Sequence, residues 1–397
     1  LSRSVPKLLL AYIDALRQVV SDSVGQLPES VAKQAAAFVK RMGSNAGVEG
    51  TTSLLSKFLT ASAEDFDILS PEEINAPRGV LNLRTGKYRG RKPNERFTRC
   101  LAMDPEPGEH PLFDKLLDDL TDGDEEFIDY LQRLAGYCLT GDVTAKQMWF
   151  VWGPSNTGKS TYIRALKALM GKYASEVTVE ALTGRAATNR TPAEMAQLPD
   201  VRLVTASEPP SGRGGQTWNE TAIKTMTGDD EIRARMLYGD WFTFSPVFKL
   251  FVVGNSQPAF EDADQAILNR VTIVPFKNPV DPDDAVLNLW RRIVDEEGAA
   301  VLAWMVEGAR LWYEDGVDMP AAVETARATY REDEDAISRW LEARCEERAD
   351  GFASREALYR SWRSWCRENG EPSGTSRYFK RTLDSRGFTS ARKDNRR

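Results

Sequence analysis

The chain has 397 residues, 41% of them hydrophobic and 28% charged, with a formal net charge of −7. That is the composition of a soluble globular protein of two or three domains. No apolar run approaches the ~18 residues of a membrane span, so no membrane partner is expected. Cys100, Cys138, Cys345 and Cys366 are scattered and His110 is the only histidine, which argues against a disulfide framework and a His/Cys zinc site and for a reducing, cytoplasmic setting. The chain opens at Leu1 rather than methionine, as a piece of a longer protein would.

Residues 1–76 read as a helical N-terminal region, because apolar side chains recur at helical spacing over 7–13, 31–39 and 53–59. Pro71 and Pro77 then interrupt the pattern. Residues 77–144 read as a small mixed and helical lead-in domain. In it, 79–88 alternates around Thr85-Gly86 as a short hairpin, and helices follow near 112–120 and 124–140. The stretch 84–99 carries Arg84, Lys87, Arg89, Arg91, Lys92, Arg96 and Arg99 against the acid Glu95. A basic stripe on an acidic body suits either a nucleic-acid face or ordinary solvated charge.

From 145 to 280, strands at 148–152, 201–207, 249–254 and 271–274 alternate with helices, the pattern of a mostly parallel α/β sheet. Residues 281–350 return to helix, at 287–293, 299–313, 321–332 and 336–349. Residues 351–397 have the size of a winged-helix-like basic module. A helix over 376–385 brings Arg377, Lys380 and Arg381 together, with Tyr378, Phe379 and Leu383 on its buried side. Arg392, Lys393, Arg396 and Arg397 extend the charge. Such a cluster would hold duplex or forked DNA through phosphates; a solubilising tail on a helical cap has the same composition.

The most informative segment is Gly153-Pro154-Ser155-Asn156-Thr157-Gly158-Lys159-Ser160-Thr161. It is G-x-x-x-x-G-K-S with an apolar strand before it and a helix after it, the context of a phosphate-binding loop. The glycines let backbone N–H groups converge on phosphate oxygens, and the helix N-terminus adds partial positive charge. Lys159 is placed to reach the β- and γ-phosphates of ATP, and the Ser160 hydroxyl to ligate Mg²⁺.

Such a loop needs an acidic partner on a neighbouring strand. The run 201–208 ends in Glu208 at a strand's C-terminal end, where ligands bind in open α/β sheets. There it would polarise the attacking water or help hold Mg²⁺. The strand 249–254 leads into Asn255, whose amide suits positioning that water. Taken alone, each of the two also suits a strand-end cap or turn. Between those strands, Gly239-Asp240 is flanked by extended residues as in a β-hairpin, and Arg270 leads the last apolar strand.

The ordered set is phosphate loop, Ala206-Ser207-Glu208, Lys224-x-x-Thr227-Gly228-x-Asp230-x-x-x-Ala234-Arg235, Asn255, then Arg270 before Pro275-Phe276. It resembles the superfamily 3 helicases, and more narrowly the helicase part of phage and plasmid primase-helicases, related to the poxvirus primase-helicase. Asn82-Leu83-Arg84-Thr85-Gly86 and the run 130–141 extend the resemblance upstream. It covers 75–280 well and 287–330 more loosely, and the first 70 residues match nothing by motif. Ser207 stands where many members have a second carboxylate, so metal binding would rest on Ser160 and Glu208. Asp229-Asp230 replaces the commoner Gly-Asp. No polymerase-type primase motif is visible, so priming is not expected of this chain.

The resemblance implies an AAA+-like P-loop NTPase core that assembles as a ring, usually a hexamer, with ATP between subunits. Lys159 and Ser160 would act in cis, Glu208 would activate water and Asn255 would sense the γ-phosphate. Arg270 would be the arginine finger reaching the neighbouring subunit's ATP; a surface salt bridge is the plainer role for it. The hairpin would enter a central channel, where Lys224, Arg233, Arg235, Tyr238 and Trp241 hold single-stranded DNA. Trp241 also suits the core, and Phe242 and Phe244 suit it better. The implied activity is a DNA helicase translocating 3′→5′ in the cytoplasm of a bacterial host, with a companion primase or polymerase domain or protein. The alternative is a replication initiator or loader with little unwinding activity. A small-molecule P-loop kinase would need neither channel hairpin, trans arginine nor basic tail.

Overall fold

The computed structural model describes residues 5–23, 28–58, 66–183, 191–207, 218–228, 230–237, 239–258, 265–334, 336–346, 348, 351–370, 373 and 375–388. The chain divides into two compact units, Leu1–Phe66 and Asp67–Arg397. In the first, α1 (Val5–Ser23), α2 (Glu29–Met42) and α3 (Asn45–Phe58) pack on one another. Ile13, Ala32 and Val39 are buried there. The helices run longer than the apolar stretches that signal them. In α2, Glu29 in the first turn and Lys40 and Arg41 in the last complement the helix dipole.

The second unit opens with β1 (Glu73–Ala76), β2 (Gly79–Asn82) and β3 (Lys87–Arg89), an antiparallel meander. The expected hairpin is its β2–β3 half. The basic stripe at 84–99 is largely engaged within this unit. Arg89 pairs with Glu73 at 2.7 Å and Glu95 at 2.8 Å. Arg91 donates to Asn75 Oδ1 at 2.8 Å and to the Pro77 carbonyl at 3.0 Å. Arg99 donates to the Pro199 carbonyl at 2.6 Å, and Arg84 lies 4.0 Å over the Tyr313 ring. These four arginines hold loops and strands together, while Lys87 and Lys92 stay exposed.

Next come α4 (Pro111–Thr121) and α5 (Glu125–Leu139). The buried Glu297 carboxylate accepts from Leu112 N at 2.8 Å and Phe113 N at 3.0 Å, capping α4 from a distant segment. Asp124 caps α5, accepting from Phe127 N at 3.1 Å. At the other end of α5, the buried Arg202 guanidinium donates to the Leu139 carbonyl and the buried Lys249 ammonium to the Thr140 carbonyl. Two cations thus meet the negative end of one helix. Burial pushes Lys249 down to about 7.

The core follows as β4 (Met148–Trp152), α6 (Lys159–Met170), β5 (Ala174–Glu176), α7 (Thr191–Met195), β6 (Leu203–Ser207), α8 (Glu220–Thr227), β7 (Ile232–Arg235), β8 (Trp241–Phe244), β9 (Lys249–Gly254), α9 (Gln265–Leu268) and β10 (Val271–Pro275). Its main sheet has the order β10-β4-β9-β6-β5, parallel at every pairing. Both faces are covered, which is why these strands read as mostly apolar runs. Trp149, Val151, Phe251 and Val253 face one apolar cluster, and Met148, Phe150, Leu250 and Val252 the other.

Then α10 (Leu289–Arg292) passes through a π-helical turn, Ile293–Glu297, into α11 (Gly298–Asp315), and α12 (Ala321–Glu334) packs on β10. Helices α5 and α11 cross with backbones in contact. A Cβ on Gly136 would lie 2.0 Å from Ala309 N, and one on Gly308 2.1 Å from the Gln132 carbonyl oxygen. Last come α13 (Ala336–Arg344), α14 (Arg355–Asn369) and α15 (Ser376–Ser385). They share an apolar cluster with Trp340, Trp362, Trp365, Phe379 and Leu383. The expected terminal module therefore takes part of its core from α13, ahead of residue 351. No strand follows α14 among the described residues; 389–397, with Arg392, Lys393, Arg396 and Arg397, lie outside them. No described helix is long and apolar enough to cross a membrane.

The α5–α11 crossing admits no side chain at Gly308. Gly308→Ala should lower the unfolding free energy by about 1–3 kcal/mol, the usual effect of overpacking. Gly90→Ala, where nothing lies within 4 Å, should change it little. Urea unfolding of the two variants checks this, and equal midpoints would contradict it.

Candidate functional site

The loop between β4 and α6 is held by three neighbours. Gly153 has φ +157°, and a Cβ there would lie 1.8 Å from the Phe276 carbonyl oxygen. Asn156, at φ +65°, accepts a hydrogen bond from Val280 N at 2.9 Å. Gly158, at φ +89°, lies against α4, where a Cβ would come within 3.0 Å of Leu116 Cδ1. Lys159 folds back over this loop. Its ammonium donates to the Gly153 carbonyl at 2.8 Å and Thr157 Oγ1 at 3.3 Å. Burial pushes it below its ordinary value. Gly158 brings no side chain to cap α6, so the first-turn N–H groups and the positive end of the helix dipole face the loop. Pro154, Ser155, Asn156 and Ser160 are exposed, Thr157 is buried and Thr161 is half-buried.

Strand register assembles the rest of this edge. Trp152 is level with Gly254 and with Pro275, and Ser207 with Val253. Gly153, Asn255 and Ser207 therefore come to the same C-terminal edge of the sheet, with Asn255 exposed. Glu208 follows Ser207 directly but lies outside the described residues.

Arg270 is on the opposite edge. Its carbonyl accepts from Met148 N at 2.7 Å, at the start of β4. The length of β4, about 16 Å, separates it from the loop of its own chain. Its guanidinium donates to Thr227 Oγ1 at 3.1 Å and towards the Lys224 carbonyl at 3.5 Å. Among the described residues it has no carboxylate partner.

The β7–β8 hairpin pairs Arg235 with Trp241 and Arg233 with Thr243. All four are exposed, and the Arg233 and Arg235 guanidinium carbons lie 4.5 and 4.8 Å from the Trp241 ring centroid. Phe242 and Phe244 pack partly buried against the core. Sequence reasoning passed over Met236 and Leu237, which stand 53% and 75% exposed at the tip. Two apolar residues just before the Gly239-Asp240 turn were the available signal. Tyr238 lies outside the described residues. Lys224 is on α8, 3.3 Å from Glu220, and so apart from the hairpin. On α15, Arg377 is exposed and Lys380 lies 3.5 Å from Asp384. Arg381 is within α15, and its side chain is outside the description.

Two family descriptions match parts of the chain: "D5 N terminal like" over residues 6–122, and "Family of unknown function (DUF5906)" over residues 151–270. The first 70 residues, which match nothing by motif, thus fall largely within a known family region. The chain is 30% identical over 273 residues to "Putative helicase 022R" of Frog virus 3 (isolate Goorha), covering 62% of this chain and 27% of that protein. It is 25% identical over 209 residues to "Putative helicase L207/L206" of Acanthamoeba polyphaga mimivirus, covering 51% and 21%. The chain thus spans about a quarter of the length of these relatives. Among solved structures, the A form apo structure of the NrS-1 C terminal region aligns with a TM-score of 0.49 and 12% identity, over 74% of this chain and 69% of that one. The family matches and viral relatives together show the chain to be similar to proteins of the phage and viral primase-helicase type.

Gly153→Ala should strain the loop twice, through its φ and through the Phe276 carbonyl. A loss of about 1–3 kcal/mol in stability is expected, together with a large fall in nucleotide affinity. Thermal unfolding with and without ATP and Mg²⁺ checks both. A variant with wild-type stability and the full nucleotide-induced shift would refute it.

Proposed function

We propose that this chain is the ATP-driven helicase segment of a phage or plasmid replication protein. It would assemble as a ring, by resemblance a hexamer, and translocate 3′→5′ on single-stranded DNA. The observation that carries this reading is the glycine-anchored loop at the C-terminal edge of a parallel sheet, with Lys159 buried across it. The strand order and the Frog virus 3 and mimivirus relatives named as helicases support it. A companion primase or polymerase, as domain or separate protein, belongs to the same reading.

The residues fit a nucleoside triphosphate. The loop turns on Gly153 and Gly158, no side chain caps the α6 amides, and the Ser160 hydroxyl is exposed beside them. No group of three or more His, Cys, Asp or Glu able to hold a metal occurs among the described residues. Mg²⁺ would therefore rest on Ser160 and Glu208, where it neutralises phosphate charge when bound. Lys159 exchanges loop carbonyls for phosphate oxygens. Asn255 orients the attacking water and Glu208 accepts its proton. Arg270, on the far edge of its own sheet, serves the nucleotide of an adjacent copy. The outward face of the hairpin, with Arg233, Arg235 and Trp241, holds the DNA backbone and stacks on bases.

Lys159→Ala should abolish ATP hydrolysis with an unchanged circular dichroism spectrum; near-normal turnover would sink the site assignment. Arg270→Ala should be inactive alone yet regain hydrolysis when mixed with Lys159→Ala, since one interface then combines an intact loop with an intact finger. No recovery despite confirmed co-assembly would place Arg270 in its own subunit's chemistry or in structure only.

Arg235→Ala and Trp241→Ala should weaken single-stranded DNA binding and strand displacement more than DNA-free hydrolysis. A lost stack is worth roughly 1–3 kcal/mol per base, or about 5- to 150-fold in affinity. Fluorescence anisotropy and a forked-duplex unwinding assay read both effects. Wild-type behaviour in both variants would put the DNA contact elsewhere. Binding without strand displacement in the unmutated protein would favour the initiator or loader.

A further inference from the structure

Helix α12 carries two further arginines to the edge where Arg270 stands. Arg327 and Arg331 lie one turn apart, and both reach Asn269, the residue before Arg270. Arg327 donates to the Asn269 carbonyl at 2.9 Å and Arg331 to Asn269 Oδ1 at 2.9 Å. Ala326 and Tyr330 of α12 share one apolar cluster with Ile223 and Met226 of α8, the helix whose end holds Arg270. All three arginines therefore stand at the start of β10, Arg327 and Arg331 at Asn269 and Arg270 at the end of α8.

Among the described residues their charge is not neutralised, and none of the three has a carboxylate partner. The Nε atoms of Arg327 and Arg331 are buried and meet no acceptor. Burial, and next the charge of Arg331, holds Arg327 below its ordinary value. Arg310, by contrast, is matched by Glu307 at 2.5 Å and Glu314 at 2.5 Å. Like charges gathered with unmet donors favour a bound anion. A nucleic-acid strand calls for a basic track with aromatic platforms, whereas three guanidinium groups about one strand end suit a compact polyanion.

We propose that Arg327 and Arg331 act with Arg270 as one three-arginine site for the triphosphate held by the Lys159 loop of a neighbouring copy. The inference rests on the trans arrangement proposed above. It adds α12, a helix outside the sheet, to the subunit contact and to the reacting phosphates.

The test uses the full chain with Arg327→Gln, Arg331→Gln and, as reference, Arg270→Ala. Each is assayed alone and mixed with Lys159→Ala, which keeps all three arginines. The expected result is at least a tenfold loss of kcat in each arginine variant alone, unchanged binding of a fluorescent ATP analogue, and partial recovery on mixing. Wild-type turnover in both glutamine variants overturns the proposal. So does recovery by Arg270→Ala but not by the glutamine variants, which would place Arg327 and Arg331 in their own subunit's structure. A loss of DNA affinity at normal turnover assigns them to nucleic acid and overturns it as well. Failure of Arg270→Ala itself to recover overturns the trans reading and this proposal with it. If a glutamine variant does not fold, Arg327→Lys and Arg331→Lys keep the charge but not the planar fork, and should lower kcat at an unchanged Tm. Wild-type kcat in both lysine variants overturns the proposal.

Discussion

Two buried cations at the end of α5 set the frame for the rest of the second unit. Arg202 stands just before β6 and Lys249 begins β9, yet both give their hydrogens to carbonyls at the close of the lead-in helix. A buried cation without acceptors would be costly, so these bonds fix the helix end against the sheet's N-terminal edge. Helix α5 in turn seats α11 through the two glycines, and α4 lies against Gly158. The geometry of the loop between β4 and α6 is thus supported from outside the sheet. That support explains why the loop can hold Gly153, Asn156 and Gly158 at positive φ.

The parallel sheet also imposes a polarity. The β4–α6 loop, Ser207 and Asn255 gather at one edge, while Arg270 and the α12 arginines gather at the other. A protein that uses both for one reaction must bring two copies together, and hydrolysis is then coupled to assembly. The hairpin adds a third surface whose outward face is basic and aromatic, with an apolar tip.

Strands buried on both faces are easy to read, because β4, β6, β9 and β10 are short, mostly apolar runs. The glycine-lysine motif and its flanking elements are equally legible, since a local backbone requirement dictates the residues. Strands β1 and β5, of four and three residues, are too short to show a period. The stripe at 84–99 is hard to read for another reason: composition cannot tell an arginine that faces solvent from one that ties down a carbonyl. Arg327 and Arg331 are invisible for the same reason, since only the packing of α12 on β10 brings them to Asn269. The shared core of α13, α14 and α15 likewise depends on tryptophans far apart in sequence.

The crossing of α5 and α11 restricts how the molecule can move. Gly136 and Gly308 each seat the opposing backbone in a notch the width of a missing side chain, so the helices interlock like teeth. Sliding one along the other would drive backbone into backbone within a single residue's rise. Arg133 further ties α5 to the end of α11 through the Leu311 carbonyl at 3.2 Å. Shear is thereby closed off between them, and the chain leaves this interlocked pair at Gly316, φ +75°, before α12 packs on β10.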